Sequence, residues 1–348
     1  MKLVVVNYYQ ANIHRGLETY VRELTSRLHH NLQTDVWSSN SARLPTSLFP
    51  RVLHRLFLTP TDLSILTFYL YQIPKLLQVR PDFIIITNCG WHLLFYRLLT
   101  FILDIKLILI GQSGPGWDDR FNLLLAPDVF ICLSPHQQLW AKSVFHWPGT
   151  LLPIIPNGVD VKKFYRASPI MTKQSHPRVL CVAATIPSKN IFAVIHGVAS
   201  HPHASLTLLG DGPLSGSIDV EGRSKLKSRY LRLTVPHEDI APYYTASDIF
   251  ILISDSSEAF GIAYLEALAA GLPIVATDDE LRRFIVGDCG VFISSWSTPQ
   301  EIAIALDQAL KLPRGHRWQA DLKKQLQNFS WDTISDKYMQ LFHQLKHS

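Results

Sequence analysis

The chain has 348 residues, 47% of them apolar, with 33 Lys and Arg against 28 Asp and Glu for a formal net charge of +5. That length and apolar content can fill two hydrophobic cores, and so weak a positive balance excludes a protein that holds nucleic acid by bulk charge while leaving room for anionic ligands or a membrane surface. The four cysteines, Cys89, Cys132, Cys181 and Cys289, form no CxxC pair, which excludes a zinc site of that spacing and fits a reducing compartment such as the cytoplasm.

The chain opens on KLVVVNYY, a β-branched run expected to form the first strand. It is too short, and lacks the small-residue cleavage site, for a secretory signal. Gly16 in HRGLE follows and is expected to open the first helix, where its bare backbone can approach an anion. Between Phe49 and Pro81, Arg51, Arg55, Lys75 and Arg80 stand against only Asp62 and alternate with Phe, Leu and Tyr. The same residues read as a basic, aromatic face for a membrane interface or as core packing with a solvated basic edge. DFIIITN, KLILIG, VFICLS and TLLPIIPNG are expected strands; the apolar window from Trp91 to Gly111, broken by Arg97, Asp104 and Lys106, reads as a helix running into a strand rather than a membrane span. The loop GQSGPGWDD, with Trp117, Asp118 and Asp119, lines a ligand or is an ordinary surface loop, and its glycine spacing is not a dinucleotide fingerprint.

A break follows IIPNGVD at 154–160, where an Asn-Gly turn leads into a polar stretch at 162–177. Beyond it come RVLCVAAT, SLTLLGDG, YLRLTV, DIFILIS and LPIVATD. Two successive β-α series predict two doubly wound parallel sheets, with ligands beyond the carboxyl ends of the strands in a cleft between them. No D-x-D stands at a strand end, and Asp278-Asp279-Glu280 reads as a loop, so no metal is expected.

SEAFGIAYLEALAAG, residues 257–271, raises the sharpest question. Phe260, Tyr264 and Leu268 lie on one i, i+4 line and Ile262, Leu265 and Ala269 on another, so the predicted helix is apolar all round and buried, with Gly271 and Pro273 as its stop. Glu266 in its middle needs a partner, and with no Lys or Arg between Arg232 and Arg282 that partner is distant in sequence or is a ligand. Around Phe260, Gly261 and Ile262 the backbone N–H groups lack intrahelical acceptors, which suits a phosphate. Glu266, leaning back towards that end, would accept hydrogen bonds from a ribose diol, and Glu258 from hydroxyls on the other side of the phosphates. The plainer alternative is that Glu258 favours the positive helix end and Glu266 meets a remote group or water.

Glu258-AFGIAYL-Glu266 resembles the E-x7-E element of the family 4 retaining glycosyltransferases. Similarity extends through HRGLETYVREL at 14–24, IIPNGVDVKKF at 154–164, LLGDGPL at 208–214, VPHEDIAPYYTASDIFILISDSSEAFG at 235–261 and FSWDTISDKYMQLFHQL at 329–345. The resemblance implies the GT-B fold, two Rossmann-like doubly wound domains: an acceptor-side domain at 1–157, a nucleotide-sugar domain at 158–328, and a last helix at 329–348 crossing back to the first. It implies a hexosyltransferase that takes its sugar, without a metal cofactor, from a UDP- or GDP-sugar donor. The acceptor would be a hydroxyl of a glycan or lipid-linked molecule, at a cytoplasmic site that can include peripheral contact with the inner membrane face. Lys189 matches the family's phosphate-binding lysine. Ala184 stands where that pattern has an arginine, a lost cation that Arg15, Arg282 or Arg283 would replace. Gln112 stands near a position often held by His and is assigned to positioning a hydroxyl, since it cannot exchange protons at neutral pH. Backbone from Val235 to His237 would meet the base. Two alternatives stay open: a nucleotide-sugar-binding protein with weak or no transfer, and a nucleotide-sugar epimerase.

Overall fold

The computed structural model describes residues 1–11, 16–29, 32–40, 51–144, 148–170, 177–256, 258–313 and 315–347. They divide into two compact units, Met1–Asn157 with Trp331–Ser348, and Gly158–Ser330.

The first unit is built on a parallel five-stranded sheet of β1 (Lys2–Val6), β2 (Gln33–Trp37), β3 (Phe83–Ile86), β4 (Lys106–Ile110) and β5 (Val129–Ile131), in the order β2-β1-β3-β4-β5. The inner strands are continuous Val, Ile and Leu runs because helices cover both faces of a parallel sheet. β2 is an addition to the expected strands; QTDVW is a partly exposed edge strand with little apolar signal. TLLPIIPNG falls short of the expected strand: it runs beside β5, with Leu151 N–H donating to the Asp128 carbonyl at 3.0 Å and Ile155 N–H to the Cys132 carbonyl at 2.9 Å, but Pro153 between them has no N–H to give, which leaves isolated bridges, Val129 to Leu151 and Cys132 to Ile154. The helix Trp331–His347 buries the face carrying Trp331, Ile334, Tyr338 and Leu341. It lies against the helix Gly16–Leu28, with Tyr20 and Trp331 rings 5.5 Å apart, a hydrogen bond between the Tyr20 and Tyr338 hydroxyls, and Phe342 stacked on Phe83 at 4.8 Å.

The segment 51–79 forms three helices, Arg51–Arg55, Pro60–Tyr71 and Ile73–Val79, the second begun by a Thr59–Asp62 capping box. Its basic, aromatic surface is narrower than the sequence suggests. Phe57 and Tyr69 are core residues, and the Lys75 ammonium lies 4.5 Å from the centre of the Trp37 ring. Among the described residues no helix is long and apolar enough to cross a membrane.

The second unit holds a parallel six-stranded sheet: β6 (Arg178–Val182), β7 (Ser205–Leu209), β8 (Tyr230–Leu233), β9 (Ile249–Leu252), β10 (Ile274–Thr277) and β11 (Gly290–Ile293), ordered β11-β10-β9-β6-β7-β8. β11, a half-buried four-residue edge strand, was not among the expected ones. The chain lays β7 and β8 on one side of β6, then returns to place β9, β10 and β11 on the other. The loops leaving β6 and β9 therefore diverge from adjacent strands, the position where open α/β sheets bind ligands.

Candidate functional site

Lys189 closes a single 3-10 turn, Pro187–Lys189, in the loop after β6, and Asn190 in the left-handed region (φ 47°) leads into the helix Ile191–Ser200. This loop is tied to the one after β9 by the Asp255 N–H donating to the Ser188 carbonyl at 2.9 Å, and Glu258 N–H donates to the Asp255 carbonyl at 3.3 Å. The ties bring the Lys189 ammonium onto the Glu258 carboxylate. Their side chains are only 17% and 10% exposed, so the pair is largely desolvated. Each is the other's counter-ion, and removing one would strand the other at a cost of about 3–5 kcal/mol.

Arg282 holds the same loop from below. It is 1% exposed; Asp279 caps its helix by accepting the Arg282 N–H at 2.9 Å, and the guanidinium bonds Asp279, the Ser254 hydroxyl at 2.7 Å and the Asp255 carbonyl at 2.7 Å. Arg283 is paired with Asp278 on the surface. Both arginines named as replacements for the cation missing at Ala184 thus already have carboxylate partners, and Arg15 lies outside the described residues.

The Glu266 helix runs Ile262–Ala269 and starts later than the sequence suggests. Gly261 precedes it at φ 87°, where a Cβ would stand 2.7 Å from the Tyr264 ring, so only glycine fits without displacing that ring. Tyr264 is fixed below by donating to the Leu252 carbonyl at 2.8 Å. Phe260 points into the core, 2% exposed and 6.1 Å from the Phe329 ring; what residues 260–262 can offer an anion is backbone.

Glu266 is 3% exposed and has partners distant in sequence: His237 Nε2 at 2.7 Å on one carboxylate oxygen and the Tyr244 hydroxyl at 2.7 Å on the other. Burial, and then the charge of Glu266, push the Tyr244 hydroxyl well above the usual range, which keeps it a donor. Each oxygen retains a lone pair for a further donor. His237 follows β8 in the stretch that begins at the half-buried Val235, and its carbonyl accepts the Lys163 ammonium at 2.9 Å. Reading the sequence gave that stretch a backbone role and missed the two side chains. Polar residues at the end of a strand, VPH, and the tyrosines of PYYT were the available signal.

In the first unit two of the named residues already have partners. The Gln112 amide donates to Asn157 Oδ1 at 2.8 Å and accepts from Asn157 Nδ2 at 3.4 Å, which braces the chain where the first unit ends. Asp119 belongs to the helix Trp117–Leu124, on its buried face, and accepts from Gln137 Nε2 at 3.0 Å instead of lining a loop surface. Gly16 is the exposed first residue of its helix. The structure thus gathers Lys189, Glu258, Gly261 and Glu266 in the second unit, while Gly16 and Gln112 belong to the first. Among the described residues no three His, Cys, Asp or Glu side chains cluster as a metal site.

Residues 176–311 match the family model described as glycosyl transferases group 1. The chain is 29% identical over 194 residues to an alpha-monoglucosyldiacylglycerol synthase of Acholeplasma laidlawii, covering 50% of this chain and 48% of that protein. It is 28% identical over 184 residues to the lipopolysaccharide core biosynthesis glycosyltransferase LpsE of Rhizobium meliloti, covering 49% and 51%. The chain thus spans about half the length of the curated relatives it matches. Among solved structures, it is similar to a sucrose-phosphate synthase from Thermosynechococcus elongatus (TM-score 0.75, 18% identity, 99% of both chains) and to HepE of Anabaena in complex with UDP-glucose (TM-score 0.71, 16% identity, 99% and 100%). These likenesses establish the GT-B fold.

Proposed function

We propose, for a chain whose residues 176–311 match the glycosyl transferases group 1 family model, that it transfers a sugar from a nucleotide-sugar donor to a hydroxyl of a glycan or lipid-linked acceptor. The observation that carries this reading is the desolvated Lys189–Glu258 pair beside Gly261, at the carboxyl ends of adjacent strands β6 and β9. Donor binding exchanges partners: the Lys189 ammonium turns to the diphosphate, and the Glu258 carboxylate becomes free to accept hydroxyls of the sugar. As the sugar–phosphate bond breaks, negative charge grows on the phosphate, and Lys189 with the backbone N–H groups at 260–262 stabilises it most when it is fully formed. Glu266, steadied by His237 and Tyr244, receives the ribose diol on its remaining lone pairs.

The transfer retains the anomeric configuration, the departing phosphate taking the proton of the acceptor hydroxyl on the same face, so no side-chain nucleophile is required. The donor is a UDP- or GDP-sugar and no metal takes part; the HepE complex with UDP-glucose supports the uridine choice. The first unit serves the acceptor, and the enzyme works in the cytoplasm with peripheral contact to the inner membrane face. That contact is supported by the exposed Val52, Leu56, Leu58 and Leu63 near Arg55.

A binding protein without turnover is favoured by one observation, the internal pairing of Arg282 and Arg283 in a chain with Ala184. Thermal-shift measurement with UDP-, GDP- and ADP-sugars followed by product analysis decides between the readings. A ligand at a hundred times its Kd stabilises by about 2.7 kcal/mol. Stabilisation with a new glycoside supports transfer, stabilisation without any product supports binding alone, and an isomerised sugar identifies an epimerase. Arg15→Ala is expected to slow transfer, and Ala184→Arg, at an exposed position, to restore it.

A further inference from the structure

The stretch ATDDELRR leaves β10 and enters the helix Glu280–Val286, with Asp279 as its N-cap and Arg282 in its first turn. A side chain there leans back towards the helix N-terminus, and β10 pairs with β9, so the Arg282 guanidinium is delivered to the loop that leaves β9. Its carboxylate partner Asp279 stays partly solvated, 31% exposed. Replacing a buried ion pair by apolar side chains of similar volume is often neutral for stability, so stability alone does not account for a guanidinium held at 1% exposure.

One residue, Asp255, joins Arg282 to both members of the Lys189–Glu258 pair. Its carbonyl accepts from Arg282 Nη2 at 2.7 Å and from the Glu258 N–H at 3.3 Å, using both lone pairs. Its N–H donates to the carbonyl of Ser188, the residue before Lys189, at 2.9 Å. The same Nη2 bonds the Ser254 hydroxyl at 2.7 Å, and the Thr277 hydroxyl at the end of β10 donates to the Ser254 carbonyl at 2.8 Å. The start of the loop is thus held from β10 and its helix. The bond from Arg282 to the Asp255 carbonyl is charge-assisted and stronger than the neutral bonds around it. A Lys ammonium, one centre on a flexible stem, cannot span what two nitrogens of a rigid plane span here: Asp279 from Nη1, and Ser254 with Asp255 from Nη2.

We propose that Arg282 is a positioning residue: acting through Asp255, it sets where the Lys189 ammonium and the Glu258 carboxylate stand, without touching the donor. Its effect on turnover rests on the transfer reading above. The test is calorimetry of the full chain with UDP and GDP, together with initial rates, for Arg282→Lys alone and in a background carrying Lys189→Ala and Glu258→Gln. Arg282→Lys is expected to weaken the tighter-binding diphosphate about tenfold and to lower kcat about 10²-fold, the cost of a misplacement of about 1 Å. In the background without the pair, the same substitution is expected to change affinity less than about twofold, because the groups it positions are gone. A merely structural role would weaken binding equally in both backgrounds. Ser254→Ala removes one of the two loop contacts and is expected to cost about threefold in affinity with the same dependence on background, which decides the matter if Arg282→Lys does not fold. Unchanged affinity and kcat in the variants, or equal losses in both backgrounds, overturns the proposal. Diphosphate binding with the expected pattern but no glycoside from any donor removes the transferase reading and leaves the positioning role. A glycoside with equal losses in both backgrounds does the reverse, and binding of neither diphosphate removes both.

Discussion

The two units handle buried ionisable groups in opposite ways. In the first, His92 and Asp119 are driven towards their neutral forms: burial lowers His92 to about 3 and raises Asp119 well above the carboxylate range, and the neighbouring Asp118 raises it further. His92 is stacked on Tyr69 at 3.9 Å with only the Asn88 carbonyl to bond, and Asp119 is met by the amide of Gln137. In the second, buried ionisable groups are paired with one another or with a hydroxyl: Lys189 with Glu258, Arg282 with Asp279, and Glu266 with His237 and Tyr244. The pairing in the second unit suits the ligand proposed for it. A departing diphosphate needs a cation already held near its place, and a counter-ion makes that cation tolerable before the ligand arrives.

The contrast breaks most sharply at Lys189. Lys189→Ala is expected to lower kcat by about 10²- to 10³-fold. It is also expected to destabilise the fold by about 3 kcal/mol, because Glu258 is left alone. Adding Glu258→Gln restores stability but not turnover. Denaturant titration and initial rates read both effects, and a single variant of wild-type stability contradicts the desolvated pair.

Glu266→Gln comes next. Exchanging a carboxylate for an amide weakens charged hydrogen bonds worth roughly 1.5–3 kcal/mol, about ten- to a hundredfold in nucleotide affinity by calorimetry. Unchanged affinity would leave Glu266 a structural carboxylate held by His237 and Tyr244.

A third test sharpens the neutral side. The His92 pKa is lower folded than unfolded, so its contribution to stability is complete above about 6.5 and is lost as pH falls towards 3, by up to about 1.4 kcal/mol per pH unit. Asp119 has the opposite sign: raised in the fold, it stabilises at low pH and loses that contribution as pH rises through its folded value. His92→Gln should flatten the acid limb of the stability profile and Asp119→Asn the opposite one. Parallel profiles for wild type and both variants would mean that neither group is held neutral.

The smallest effect is expected at the membrane. Arg55, Lys75 and Arg80 can contribute no more than about 1 kcal/mol each at an anionic surface, and Phe57 and Tyr69, being buried, add nothing. Cosedimentation with anionic vesicles should be weak at 0.1 M salt and absent at 1 M, as the Debye length shrinks from about 10 Å to about 3 Å. Binding that persists at 1 M salt would move the attachment to apolar side chains such as Leu98 and Phe101, 60% and 76% exposed on the helix His92–Ile102.

Sequence alone determined what depends on local pattern. The inner strands of both sheets were legible because parallel strands covered on both faces must be runs of Val, Ile and Leu. The buried helix around Glu266 was legible because its apolar residues encircle it, and the need for a distant partner followed from the absence of Lys and Arg nearby. Tertiary structure decided the rest. The edge strands β2 and β11 are short and half-exposed, so their pattern resembles a loop, and Pro153 interrupts the pairing of 151–155 with β5 only because its nitrogen falls on the side that faces that strand. Glu266 found His237 at a separation of 29 residues and Tyr244 at 22, Lys189 found Glu258 at 69, and Gln112 found Asn157 at 45. Such pairings leave no periodic trace along the chain. They depend on which loops leave neighbouring strands on the same edge of a sheet, which is set by strand order.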